Sequence, residues 1–118
     1  MKFVSVSLVK DEADIIELFI RINSRVIDHF FIVDNGSSDN TVKILEKLGQ
    51  EGFKITLFRD PDPHYNQSLM TTKALRYIAN NTQFDWAFIL DADEFVNIEK
   101  SALEKELSKI PGNQIASL

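Results

Sequence analysis

Two aspartates, Asp91 and Asp93, follow directly on the apolar run 86–90 and are the residues of this chain best suited to chemistry. The apolar run indicates a buried strand, and carboxylates crowded at its end disfavour each other's charged form. A divalent cation beside them would remove that cost, and carboxylate oxygens are ligands that Mg²⁺ and Mn²⁺ prefer. We therefore expect a metal site formed by Asp93 and Asp91. The competing interpretation is that both acids only cap the segment that follows.

Polar residues also follow two other apolar runs of the chain. The run 3–9 is followed by Lys10, Asp11 and Glu12, and the run 30–33 by Asp34 and Asn35. Because the carboxyl ends of parallel strands meet at one edge of a sheet, we expect all three clusters to line a single site. Asp34 could accept hydrogen bonds from a base or a ribose, although taken alone it is more typical of a turn or cap acid.

The elements that must position these residues are predicted from apolar periodicity. Strands are predicted at 3–9, 30–33, 53–58 and 86–90, with a further strand opening at 114, and amphipathic helices lie between them. We expect the first helix to be capped by Asp11, the second by the serines after Asn35, and the fourth by a capping box over 101–104. Prolines 61 and 63 predict an irregular loop, and Pro111 a helix end. Such strand–helix alternation predicts an α/β fold with a mainly parallel sheet flanked by helices.

Composition limits the class of protein. The chain has 118 residues, of which 44% are hydrophobic and 26% charged, as in one globular domain. Cysteine is absent, which excludes disulfides and thiolate metal sites and fits a cytoplasmic location. No stretch approaches the roughly 18 apolar residues that span a bilayer. The formal net charge is -5 without a basic cluster, so we expect no nucleic-acid partner.

Three segments together resemble family 2 glycosyltransferases of the GT-A fold. They are VSLVKDEAD at 6–14, FIVDNGSSDNT at 31–41 and DWAFILDADEF at 85–95. The Asp-x-Asp-Glu-Phe ending of the third segment is similar to a subgroup akin to family 92 enzymes. The resemblance extends over essentially the whole chain, and it implies that the sheet is the Rossmann-like front portion of a nucleotide-diphospho-sugar transferase.

The resemblance implies an enzyme that transfers a sugar from a nucleotide diphosphate, usually UDP, to a saccharide or other hydroxyl acceptor with Mn²⁺ or Mg²⁺. By matched position, Asp93 would be the principal metal ligand, and Asp91 would bind the ribose or the metal. The nucleotide-sugar site would consist of Val9, Lys10, Glu12, Asp34, Asn35, Lys73, Asp91 and Ala92. Many relatives have tyrosine and asparagine where Lys10 and Asp11 stand, so the aliphatic stem of Lys10 would replace a stacking ring.

The last residues, from Gln114 to Leu118, look like a strand cut short. We therefore expect residues 1–118 to be a single nucleotide-sugar-binding domain from a longer glycosyltransferase, with the catalytic base beyond Leu118 and little turnover alone. Two alternatives stay open. One is a non-catalytic nucleotide-binding module with structural acids. The other is a phosphatase of the haloacid dehalogenase type, with Asp91 as nucleophile, although that family has threonine or valine where Phe95 stands.

Overall fold

The computed structural model describes residues 1–62 and 66–110 in full and residues 114–117 as backbone. The elements, in chain order, are β1 (Phe3–Val9), α1 (Ile16–Asn23), β2 (His29–Asp34), α2 (Thr41–Glu51), β3 (Ile55–Arg59), α3 (Gln67–Asn81), β4 (Trp86–Ile89), α4 (Lys100–Leu107) and β5 (Gln114–Ser117). Strands and helices alternate as the apolar pattern predicts, and the α/β class is confirmed.

The strands of the described chain form one sheet with the order β3-β2-β1-β4-β5, and every pair is parallel. β1 lies at the centre, where Val6 pairs with Phe31 of β2 on one side and with Ile89 of β4 on the other. From β1 the chain builds first toward β3 and then, in the opposite direction, toward β5. The carboxyl ends of β1 and β4 therefore flank a switch in strand order, which is where open α/β sheets usually bind ligands.

Helices cover both faces of this sheet, because successive side chains of each strand point to opposite faces. On one face, α1, α2 and α4 pack on a buried cluster that includes Phe3, Phe30, Ile32 and Phe88. On the other face, α3 packs its buried residues on a cluster that includes Val4, Val6, Phe31 and Val33. Every residue of β2 is buried, as predicted for a strand without polar alternation.

The starts of three helices differ from the sequence predictions. α1 follows Ile15, so the prediction that Asp11 caps this helix is wrong. α2 follows Asn40 rather than a serine, and α4 begins after Glu99, so the capping box predicted over 101–104 is also wrong. The physical reason at the first two helices is that the expected caps bind the neighbouring loop instead, and such contacts compete with local capping.

α3 begins as an N-capped helix, since the side chain of Asn66 accepts a hydrogen bond from the Leu69 N–H at 3.0 Å. Pro63 and Pro111, which entered the loop and helix-end predictions, lie outside the described residues. In the part of the chain that the structure describes, no helix is both long and apolar enough to cross a membrane.

Candidate functional site

The carboxyl edge of the sheet carries the three polar clusters predicted from the sequence. β1, β2 and β4 are neighbours and end at Val9, Asp34 and Ile89, so the loops that follow them share one edge. The pKa of Glu12 is raised by its burial, then by the charge of Asp14 and, across this edge, by that of Asp93. The cluster after β1 and the cluster after β4 therefore face each other.

A cleft of about 290 Å³ lies beside the end of β1 and is lined by Leu8, Val9, Lys10, Glu12 and Asn35. All of these except Leu8 were predicted to bind the nucleotide sugar. Asn35 is 6% exposed and is held to β1, because its backbone N–H donates to the Val9 carbonyl at 2.9 Å. The structure thus brings four predicted residues together around one cleft.

Asp34 is fully buried and takes part in the turn that follows β2. Its carboxylate accepts hydrogen bonds from the backbone N–H of Ser37 at 3.1 Å and from the Ser37 hydroxyl. Gly36 adopts a φ of 79° in this turn, as expected for a turn glycine. A ligand would reach the Asp34 carboxylate only after the Ser37 side chain moves.

Asp11 joins the loop after β1 to the loop after β2, a role that the sequence analysis missed. Its backbone N–H donates to Ser37 Oγ at 2.9 Å, and its carboxylate accepts from the Ser38 N–H at 2.7 Å. The backbone of Asp11 has a φ of 53°, in the left-handed region that aspartate tolerates better than most residues. The two loops are therefore tied by reciprocal bonds rather than by a cap.

Glu12 lies in the same pair of loops and faces a negative environment. Its backbone N–H donates to Thr41 Oγ1 at 2.9 Å. Burial, followed by the charges of Asp14 and Asp93, raises the pKa of the Glu12 carboxyl. By contrast, the hydrogen bond from the Thr41 hydroxyl lowers the pKa of Asp39. The edge is thus acidic, and a cationic group there would be stabilised.

The side chains of Asp91 and Asp93 are exposed and, within the described residues, make no hydrogen bond or ion pair. The turn that carries them is closed by Glu94, whose Oε1 accepts from the Asp91 N–H at 2.8 Å and whose N–H donates to the Asp91 carbonyl at 3.0 Å. Ala92 between the aspartates is buried. Within the described residues neither aspartate side chain caps the segment that follows, and the turn itself is closed by Glu94.

These two carboxylates fit a divalent cation in part. They are hard oxygen donors, open to solvent and free of competing donors. Among the described residues, however, no group of three or more histidine, aspartate or glutamate side chains is placed to hold a metal ion. A cation at Asp91 and Asp93 would need further ligands from water or from a bound molecule.

Lys73 lies apart from the cleft. It lines a separate, largely apolar cavity of about 210 Å³ between β2, β3 and α3, together with Arg59 and Asp60. Asn35, which lines the cleft beside β1, donates its side-chain amide to the carbonyl of Asp60, which lines this second cavity, at 2.8 Å. The structure therefore brings Lys73 near the site through Asn35 without placing it beside Glu12 or Asp93.

Asn23 is a second residue near the site that the sequence analysis missed. This last residue of α1 is fully buried, and its amide donates to the Glu94 carbonyl at 2.9 Å. Its Oδ1 accepts from the Val96 N–H at 2.8 Å. A single asparagine on an apolar helix face gives no sequence signal of such contacts.

Comparisons with known proteins agree with this fold. The sequence model of the family described as "Glycosyl transferase family 2" matches residues 10–114. Among solved structures, the chain is similar to the one described as "Crystal structure of S. aureus TarS 1-349", with a TM-score of 0.64 and 18% identity, over 93% of this chain and 32% of that chain. At this identity the structural similarity shows the Rossmann-like fold alone, and the chain spans about a third of that structure's length. No curated protein matches the chain significantly.

Proposed function

The chain belongs to glycosyl transferase family 2, and we propose that residues 1–118 form the donor-binding portion of an enzyme that transfers a sugar from a nucleotide diphosphate to an acceptor hydroxyl. The observation that carries the proposal is the pair of exposed carboxylates, Asp91 and Asp93, which make no hydrogen bond or ion pair within the described residues and lie at the edge that also holds the cleft beside β1. The phosphatase alternative is set aside, because the matching family is one of glycosyltransferases. We further propose a UDP-sugar donor, similarity to family 92 enzymes and a cytoplasmic location.

The cleft beside β1 would hold the nucleoside. Val9 and the aliphatic stem of Lys10 would pack against the base, and the amide of Asn35 would close the cleft on the side of β2. Asp34 would contact the base or the ribose once Ser37 turns away. Lys73 would lie on the far side of Asn35, within reach of the donor's charged part.

Asp93, with Asp91, would hold Mn²⁺ or Mg²⁺, and the donor's diphosphate oxygens would complete the coordination. A bound cation would neutralise charge on the departing nucleoside diphosphate. The acidic character of the edge also supports a bound cation. The pKa of Glu12 is raised by burial and by the neighbouring carboxylates, so the edge would repel a diphosphate that arrived alone.

Thermal melting with UDP and Mn²⁺ tests this proposal. A ligand that binds the folded state at 100 times its Kd stabilises it by about 2.7 kcal/mol, which corresponds to several degrees in Tm for a domain of this size. We expect this shift with UDP and Mn²⁺ together. It should disappear with chelator and in Asp93→Ala, and it should persist in Glu46→Ala, an acid-to-alanine control on the exposed side of α2.

Two results would count against the proposal. A shift that survives chelator and Asp93→Ala would mean that the aspartates hold no metal. The absence of a shift with any nucleoside diphosphate and cation would mean that the edge does not bind a donor, and it would favour a binding module of another kind.

A further inference from the structure

The loop after β4, which carries Asp91 and Asp93, is anchored to α1 by one buried side chain. Asn23 has no exposed surface, although most of its neighbours on the buried side of α1 are apolar. We propose that Asn23 is a positioning residue that sets the geometry of the two aspartates for metal binding. The inference rests on the function proposed above, since it concerns the same aspartate pair.

Asn23 contacts the loop at two points, and both of its partners are backbone atoms. Its Nδ2 donates to the Glu94 carbonyl at 2.9 Å, and its Oδ1 accepts from the Val96 N–H at 2.8 Å. Because the carboxamide is planar, two bonds from it fix both the distance and the orientation of the backbone on either side of Phe95. This anchor therefore holds the path of the chain whatever side chains stand at 94 and 96.

The other end of the turn is fixed by β1. The Leu90 N–H donates to the Val6 carbonyl at 3.0 Å, and Glu94 closes the turn on the Asp91 N–H at 2.8 Å. Ala92, 5% exposed, packs into the core cluster beneath. Asp91 and Asp93 thus stand on a short segment that is fixed before, within and after the turn, while their own carboxylates point to solvent.

The choice of residue at 23 supports a positioning role. A buried amide is costly unless it is hydrogen-bonded, and an aliphatic residue would suit the apolar face of α1 equally well. An aliphatic residue would, however, leave the Glu94 carbonyl and the Val96 N–H without their partner. Asparagine is therefore explained by the loop and not by the packing of the helix.

Mn²⁺ affinity in the presence of saturating UDP tests the proposal, with free Mn²⁺ measured by electron paramagnetic resonance. Asn23→Leu removes both bonds while keeping the branching and the number of heavy atoms of the side chain. Asn23→Asp keeps the acceptor for Val96 but removes the donor to Glu94. Loss of a group that bonds a metal ligand directly typically weakens metal affinity about 10- to 100-fold. Because Asn23 acts on the aspartates only through the backbone, we expect the lower end of that range, about 10-fold, for both Asn23→Leu and Asn23→Asp. Metal-free binding of uridine, followed by NMR, should change less than about twofold, since the cleft beside β1 contains none of these bonds.

Leu48→Ala is the matched control. Leu48 is 2% exposed on α2 and lies about 10 Å along the helix from Thr41, the residue that bonds Glu12 at the cleft. Its truncation weakens the core and removes neither the bond at the cleft nor the two bonds of Asn23. We expect the control to lower Tm while leaving both affinities unchanged.

Each other outcome overturns the inference. A folded Asn23→Leu variant with wild-type Mn²⁺ affinity would show that the Asn23 bonds do not determine the geometry of the two aspartates. An equal fall in uridine binding would indicate general loss of structure. Should Asn23→Leu not fold, Asn23→Asp decides in the same way. Failure of the wild-type chain to bind Mn²⁺ with UDP would instead refute the proposed function, and the inference with it.

Discussion

At the scale of single residues, the three neighbouring acids Asp91, Asp93 and Glu94 differ in whether their carboxylates accept a backbone hydrogen bond. A carboxylate that accepts backbone N–H bonds is stabilised in its charged form by the protein itself and has less to gain from a cation. Glu94 accepts such a bond at 2.8 Å, whereas the two aspartates accept none within the described residues. Of these three neighbouring acids only Glu94 closes the turn, so the two aspartates have the more to gain from a cation.

We expect His29 to make the stability of the fold dependent on pH. Its ring is buried, stacks on Phe31 at 4.1 Å, and bonds Thr56 Oγ1 through Nε2 at 2.7 Å. Among the described atoms its Nδ1 has no partner. Burial, with smaller effects of Lys54 and Lys2, lowers the pKa of His29 from 6.5 to about 4.

Between these two pKa values the unfolded chain binds a proton that the folded chain does not. The free energy of unfolding should therefore fall as pH drops from about 6.5 to about 4, by about 3 kcal/mol from this group. Urea denaturation of the wild type and of His29→Gln from pH 7 to pH 4 measures this change in the free energy of unfolding. We expect the wild type to lose about 3 kcal/mol more than the variant, which cannot titrate there. Parallel curves would show that His29 is not responsible.

At the scale of elements, the loops after β1 and β2 act as one unit through Asp11. The left-handed φ of 53° costs an alanine about 1 kcal/mol or more, and the carboxylate bond to the Ser38 N–H adds a similar amount. Asp11→Ala should lower the free energy of unfolding by about 2 to 3 kcal/mol, measured by urea denaturation.

Two further variants at this position separate the two contributions. Asp11→Gly lacks the acceptor, as Asp11→Ala does, but glycine adopts this φ without strain. It should therefore be about 1 kcal/mol more stable than Asp11→Ala. Asp11→Asn keeps an acceptor and tolerates the same φ, so it should stay within about 1 kcal/mol of wild type. If glycine and alanine are equally destabilising, the backbone conformation of Asp11 contributes nothing.

The elements themselves could be predicted from the sequence because their signals are local. The apolar run before Asp91 and the periodicity around Met70 and Ala74 are consequences of burial on one or two faces. The helix starts could not be predicted, since Asp11 and the serines after Asn35 have equally good partners in the neighbouring loop. The contacts of Asn23 are long-range and involve only backbone atoms of the partner loop, so no residue pattern reveals them.

At the scale of the whole molecule, the sheet order explains why the candidate site stands on the most buried strands of the sheet. β1 lies between β2 and β4, and all but one of its residues are buried. The cleft and the aspartate pair stand on the ends of these inner strands. β3, in contrast, lies at the edge of the sheet, and its side chains are half-buried or exposed. Stability should therefore decrease from the centre toward that edge.

Native-state hydrogen exchange tests this gradient. The inner strand β1 is released only when both β2 and β4 separate from it. The edge strand β3 is released as soon as it separates from β2, its single neighbour among the described strands. Local openings require less free energy than global unfolding, and each 1.4 kcal/mol changes an exchange rate about tenfold. Amides of β1 from Val4 to Leu8 should therefore exchange at least about tenfold more slowly than the bonded amides of β3. Equal rates in the two strands would mean that the sheet opens in a single step. The inner strands beneath Asp91 and Asp93 would then be no more stable than the edge strand β3.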